Sequence, residues 1–265
     1  MPLDSNHSSF TIFGRRLNLD VALAILVGVL ALALYVYTLA PSVISIADDT
    51  LEFQLVAQRG AIPHQTGYPL YALLLTLIAR ILPIGEVAFR ANLLSALAAS
   101  AAVALTYLVG RKMGMWRVAA FFSAALLATA PTFWAHATVA EVYALHFALV
   151  AALIFSVLRW PERLKSLLRV SPPLPLSPSP PLPLWAGLFF GLGLTHHSMI
   201  VLWAPAVGVY VLLVAWQYRS ALRPASPPLP REELRIVFAV APNCEFAQRA
   251  PDARFPKSEI RNPKS

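Results

Sequence analysis

A carboxylate-rich stretch, Ala47-Asp48-Asp49-Thr50-Leu51-Glu52-Phe53, stands just beyond a long apolar run. Pro63-His64-Gln65-Thr66-Gly67-Tyr68-Pro69-Leu70-Tyr71 follows in the same polar interval. Carboxylates beside hydrocarbon are costly unless they reach water or a partner, so acids gathered at a membrane mouth point first to function. In a helix from Asp49 to Gln58, Asp49 and Glu52 fall at i and i+3 and Asp48 and Glu52 at i and i+4, on one face. Phe53, Val56 and Ala57 then form an apolar stripe suited to the membrane interface. A carboxylate held in fixed geometry at such an edge serves as a general base toward a hydroxyl. The plainer role of the same acids is to cap a helix and favour its dipole.

Every histidine but His7 falls near this region or at the matching ends of later apolar segments. His64 lies in the first polar loop; His136 and Glu141 flank the start of a later apolar run, with Tyr143 and His146 just beyond. His196 and His197 end another run. Histidines so placed donate hydrogen bonds to a lipid-linked phosphate, or balance its charge when protonated. The two adjacent ones lie about 100° apart on a helix and do not form a one-face metal pair. No metal site is expected, and the single cysteine, Cys244, excludes a cysteine-rich one.

The elements that must position these groups are membrane helices. The 265 residues are 58% apolar and 13% charged, with a mean hydropathy of +0.64, which marks an integral membrane protein. The net charge of +8 comes from Arg and Lys at the ends of apolar segments, an arrangement that orients a membrane protein and gives no reason to expect nucleic acid. Apolar runs predict six spans: Val21–Leu39, Ala88–Gly110, Val118–Phe133, Thr138–Leu158, Leu184–Leu194 and Ile200–Trp216. Tyr68–Leu82 is too short to cross and is expected to lie in the outer interface. This choice keeps Arg111, Lys112 and Arg117 on the side of Arg15 and Arg16, as the positive-inside bias requires. The predicted order is a cytoplasmic N-terminus (1–20), a transmembrane module (21–216) with an outer loop at 40–87, and a polar tail (217–265). A proline-rich inner loop at 170–183 interrupts the module. Trp134, Trp160, Trp185 and Trp216 fall near span ends as an aromatic belt. Glu86 and Arg90, at i and i+4, read as a structural pair.

These residues also carry a resemblance. Thr38-Leu39-Ala40-Pro41-Ser42-Val43, Asp49-Thr50-Leu51-Glu52-Phe53, Ile62-Pro63-His64 and Gly67-Tyr68-Pro69-Leu70-Tyr71 form an ordered series. It continues in Ala88-Phe89-Arg90-Ala91-Asn92-Leu93-Leu94-Ser95-Ala96-Leu97, Pro131-Thr132-Phe133-Trp134, Ala140-Glu141-Val142-Tyr143-Ala144-Leu145-His146 and Gly191-Leu192-Gly193-Leu194-Thr195-His196-His197. Over roughly residues 20–216 the chain resembles the bacterial membrane family called domain of unknown function 2723, which includes an animal O-mannosyltransferase and is similar to the GT-C glycosyltransferases.

The resemblance implies an all-α, GT-C-like N-terminal module in a bacterial inner membrane, its site facing outward. It implies a sugar moved from a polyprenyl-phosphate donor, the co-substrate, to a protein, lipid or glycan acceptor, with no further cofactor. Asp49 is then the candidate base and Glu52 its partner. The family pattern reads Asp-Ser-Gly-Glu-Phe; here Asp-Thr-Leu-Glu-Phe follows Ala47-Asp48, so either Asp48 or Asp49 fills the first position. His64, Tyr68, Arg90, Glu141, Tyr143, His146, His196 and His197 are the candidate substrate-binding residues. Relatives of that family continue with further spans, so the chain is expected to be a shortened form. The rival expectations are an inactive fragment of such an enzyme, and a transporter or lipid-binding protein without chemistry, although transporter sites sit nearer the midplane and between internal repeats.

Overall fold

The computed structural model describes residues 9–12, 15–45, 49–168 and 183–218. Asp48, most of the proline-rich loop and the tail beyond Tyr218 lie outside the described residues. A short antiparallel hairpin, β1 (Ser9–Ile12) with β2 (Arg15–Asn18), leads into a bundle that is otherwise helical among the described residues. The helices are α1 (Leu19–Tyr37), α2 (Thr50–Arg59), α3 (Pro69–Ile81), α4 (Val87–Lys112), α5 (Arg117–Thr129), α6 (Pro131–Ala137), α7 (Val142–Leu168), α8 (Leu184–His196) and α9 (Ala204–Gln217). A 3-10 turn, Ser198–Trp203, joins the last two.

The all-α polytopic class holds, with two refinements to the predicted spans. Helices α1, α4 and α7, and the turn together with α9, are long and apolar enough to cross a membrane. The third span breaks in two: Pro131 cannot continue the hydrogen-bond ladder of α5, so α6 restarts from it at a 66° bend. Counting that pair as one span makes five by length and composition among the described residues, and α8, with 13 residues, is shorter than the thickness of a bilayer core. Helix α3 also has 13 residues. Its buried side chains, Tyr71, Leu75 and Ala79, repeat every fourth position and face the protein.

Helix α4 is the centre of the bundle and packs on α1, α2, α3, α5, α6 and α7. In lipid, helices associate through close packing more than through expulsion of water, and small residues permit it. Ala24, Val27, Gly28, Ala31 and Tyr35 form the buried stripe of α1. A Cβ at Gly28 would come within 3.0 Å of the Ala104 Cβ and 3.2 Å of the Ser100 carbonyl oxygen. Ala120, Ala124 and Ala128 play the same part on α5. Tyr35 ends the stripe, donating its hydroxyl to the Ala128 carbonyl at 2.9 Å, where Pro131 has left the last turn of α5 short of partners.

One end of the bundle is tied by charge. Asp20, at the start of α1, accepts from Arg111 at 3.0 Å, Arg117 at 2.8 Å and the Tyr107 hydroxyl at 3.1 Å. Arg111 also donates to the Met115 carbonyl, and Lys112 pairs with Glu162. The start of α1, the end of α4 and the start of α5 therefore share one side, as expected if α3 does not cross. Trp160 departs from the aromatic-belt expectation: it is buried with Leu164 and Val214 between α7 and α9.

Candidate functional site

The opposite end carries the acids. Asp49 occupies the N-cap position of α2 but makes no side-chain cap bond, so its carboxylate is not spent on the helix start. One turn on, Glu52 spends both oxygens on one residue. Its Oε1 accepts from the His64 backbone N–H and its Oε2 from the His64 ring Nδ1, each at 2.6 Å. The His64 Nε2 then lies 3.8 Å from an Asp49 oxygen. The hydrogen bond from His64 holds the Glu52 carboxyl below its ordinary range, and the same bond, helped by the Asp49 charge, holds the imidazole above its own. Glu52 and His64 form a close pair at 2.6 Å, with Asp49 on the other side of the imidazole and its side chain 40% exposed. Glu52 and His64 thus position one another, and Asp49 stands beside them with no cap bond of its own.

The predicted apolar stripe of α2 exists but faces inward. Phe53, Val56 and Ala57 are nearly fully buried in one cluster with Tyr71, Leu75 and Ala79 of α3 and Ala91 of α4, and do not lie on a membrane surface. This seats α2 on the bundle, and a buried polar network sets its angle. Asn92 of α4 accepts from Gln54 Nε2 at 3.0 Å and from the Ala140 N–H at 2.9 Å, and donates to the Ala40 carbonyl at 3.0 Å. Thr50 donates to the buried Glu141 at 2.9 Å. Ser95 bonds the Glu141 backbone and lies 3.4 Å from the Tyr71 hydroxyl. Glu141 is therefore engaged beneath the first turn of α2. Thr50, Gln54, Asn92 and Ser95 received no role from sequence reasoning; Asn92, a lone amide in an alanine-rich span, was the available signal.

The predicted histidines do come together, linked by tyrosines. The Tyr68 ring lies 5.5 Å from His64 and 5.7 Å from His197. His197 continues to His146 at 5.3 Å and to Tyr143 at 6.2 Å, and Tyr143 to His136 at 4.7 Å. His196 lies 5.7 Å from Tyr71 and 6.5 Å from His146. Tyr68 occupies the left-handed region, φ 39°, which is rare for a bulky side chain, immediately before Pro69 starts α3. Burial raises its phenol above the ordinary range, and the nearby charges of Asp49, Glu141 and Glu52 add to the effect. His197 accepts the Met199 N–H on Nδ1 at 3.2 Å, which leaves the proton on its Nε2.

Arg90 does not join this array. Its guanidinium donates to the Ala79 carbonyl at 2.5 Å and the Leu82 carbonyl at 2.8 Å, closing the C-terminus of α3. Its expected partner Glu86 instead accepts from Ser42 at 2.8 Å. Asp49, Glu52 and His64 each offer a ligand atom within 4.8 Å of the others, a spacing a cation fits. The direct 2.6 Å contact between Glu52 and His64 would have to open to admit it.

A profile described as Protein O-mannosyl-transferase TMEM260 N-terminal domain matches residues 49–220, a stretch that holds every described member of the cluster. Protein O-mannosyl-transferase TMEM260 of Mus musculus is 28% identical over 114 residues, which cover 43% of this chain and 16% of the mouse protein. The chain thus spans about one sixth of the curated relative it matches. No solved structure matches.

Proposed function

The chain belongs to the family of protein O-mannosyl-transferase TMEM260 N-terminal domains, and from that premise we propose that it carries the acid-base site of a GT-C-like glycosyltransferase. The reaction moves a hexose from a polyprenyl-phosphate donor to an acceptor hydroxyl on the outer face of the membrane, in a bacterium its plasma membrane. One observation carries the reading. Of the two carboxylates of α2 within reach of His64, Glu52 is consumed in orienting it, while Asp49 stays half-exposed with no cap to make.

In the proposed step Asp49 takes the acceptor's hydroxyl proton as the acceptor oxygen bonds to the anomeric carbon. The bond from that carbon to the phosphate oxygen breaks, and its electron pair leaves on polyprenyl phosphate. Direct displacement inverts the anomeric centre. His64, held by Glu52, stands 3.8 Å from Asp49, and the Nε2–H of His197 is a donor available to the departing phosphate. Membrane lipids surround the remaining apolar faces.

The test is transfer of radiolabelled mannose from polyprenyl-phosphate mannose by membranes containing this chain. Loss of a general base costs about 10²–10⁴ in rate, so Asp49→Asn should lower transfer by at least about a hundredfold, whereas Lys165→Ala should leave it intact. Transfer that survives Asp49→Asn refutes the assignment of the base, and a wild-type chain without transfer refutes the enzyme reading.

A further inference from the structure

Two nitrogens at the inner edge of the ring array have no partner in the protein. His196 is 1% exposed, and its Nε2 lies 2.9 Å from the Val142 carbonyl oxygen. A carbonyl only accepts, so Nε2 bears the proton and Nδ1 is a bare acceptor. That Nδ1 is buried without a donor, as is the Nδ1 of the neighbouring His146. Buried polar atoms are rarely left unpaired, and an exception calls for a missing ligand or water.

The chemistry of the missing group follows from the atoms. Phosphate oxygens chiefly accept hydrogen bonds and cannot answer an acceptor. Turning His196 into a donor would place a charge in a nearly dry site, at high desolvation cost. A hydroxyl both donates and accepts, so it satisfies the His196 acceptor and either tautomer of His146. His197 stands 5.3 Å from His146 and is itself flanked by Tyr68 and Tyr143, ring faces of the kind that line small-molecule sites around a few fixed polar groups. His197, with its free Nε2–H, is the member of the array suited to an anion.

We infer that His146 and His196 form a hydroxyl-reading subsite that binds the sugar of the donor, while its phosphate is met elsewhere, at His197. The identity of the polyol rests on the transferase reading; the preference for hydroxyl over phosphate rests on the two nitrogens alone.

Histidine-labelled chain in lipid nanodiscs is titrated with methyl α-mannoside and, separately, with dimethyl phosphate, which has no P–OH to donate, following the ring nitrogens by NMR. The mannoside should move the His146 and His196 Nδ1 resonances and dimethyl phosphate should not. Movement by dimethyl phosphate instead, or by neither ligand, overturns the inference; the second result would leave the pair to a buried water. A second arm measures binding of polyprenyl-phosphate mannose and of sugar-free polyprenyl phosphate to wild type, His146→Phe and His196→Phe. Each variant should weaken the sugar-bearing lipid about fivefold, the size of one lost neutral hydrogen bond, and spare the sugar-free one. Equal loss for both lipids overturns the subsite and leaves the transferase reading in place. A wild type whose histidines take up mannoside but which binds neither lipid keeps the subsite and removes the transferase.

Discussion

Replacing Asn92 by Ala should loosen the candidate site from below without touching it. The side chain is fully buried, and its removal strands the Gln54 amide, the Ala140 N–H and the Ala40 carbonyl. Each buried group left unpaired costs about 1–3 kcal/mol in a water-excluded protein interior. Interhelical hydrogen bonds within membranes average nearer 0.6 kcal/mol, because the unfolded chain in lipid also finds partners. Three lost partners then bracket the loss between about 2 kcal/mol and several times that, a large share of a marginal stability. Reversible unfolding of the purified protein in mixed micelles measures it. Because Gln54 lies on α2 beside Asp49 and Glu52, the proposed transfer should fall together with stability. A loss under about 0.5 kcal/mol with unchanged transfer would refute the claim that this network sets the angle of α2.

Three further outcomes are expected. His64 should titrate above 6.5, and Glu52→Gln should bring its midpoint back down, since the Glu52 hydrogen bond is the largest cause of the rise; an unmoved midpoint in NMR titration refutes the pairing. The pair's contribution to stability, no more than about 1 kcal/mol at this exposure, is complete below pH 6.5 as far as His64 is concerned and fades as pH rises through its raised value. The Glu52 share is present above 4.5 and fades as pH falls through its lowered one. Arg90→Ala should lower the unfolding midpoint by removing the cap of α3, with Arg90→Lys restoring part of it; weaker donor binding at unchanged stability would return Arg90 to a substrate role. Gly28→Leu should cost roughly 1–3 kcal/mol or more by overpacking α1 against Ala104 and Ser100, read as loss of folded protein in detergent.

The sequence reveals charge and period far better than it reveals neutral polar contacts. Asp49, Glu52, His64 and the later histidines stand out because ionisable groups are rare beside hydrocarbon, and the structure brings them to one end. The spacing of Phe53, Val56 and Ala57 reveals the stripe of α2 but not which way it faces, because these side chains look alike to lipid and to protein. Pro131 was visible inside the third predicted span, yet hydropathy runs smoothly through it and gives no angle. Arg90 reads as an ion-pair partner from its spacing to Glu86, whereas open carbonyls at the end of α3 claim it. The Asn92 and Thr50 bonds join residues 38 to 91 positions apart, a distance over which no local pattern reports.

The latch at Asp20 has a consequence for how the bundle is made. Its arginines follow 91 and 97 residues later in the chain. At about 5–20 residues per second, synthesis leaves α1 in place for roughly 5–20 s before Arg111 and Arg117 exist. Until then the Asp20 carboxylate lacks these two partners, and the start of α1 is not yet tied to α4 and α5. Arrival of the two arginines fixes its rotation and brings Gly28 onto Ala104. Helix α4 delivers Asn92 and Arg111 together, so the biogenesis of the carboxylate end and of the arginine end is a single event.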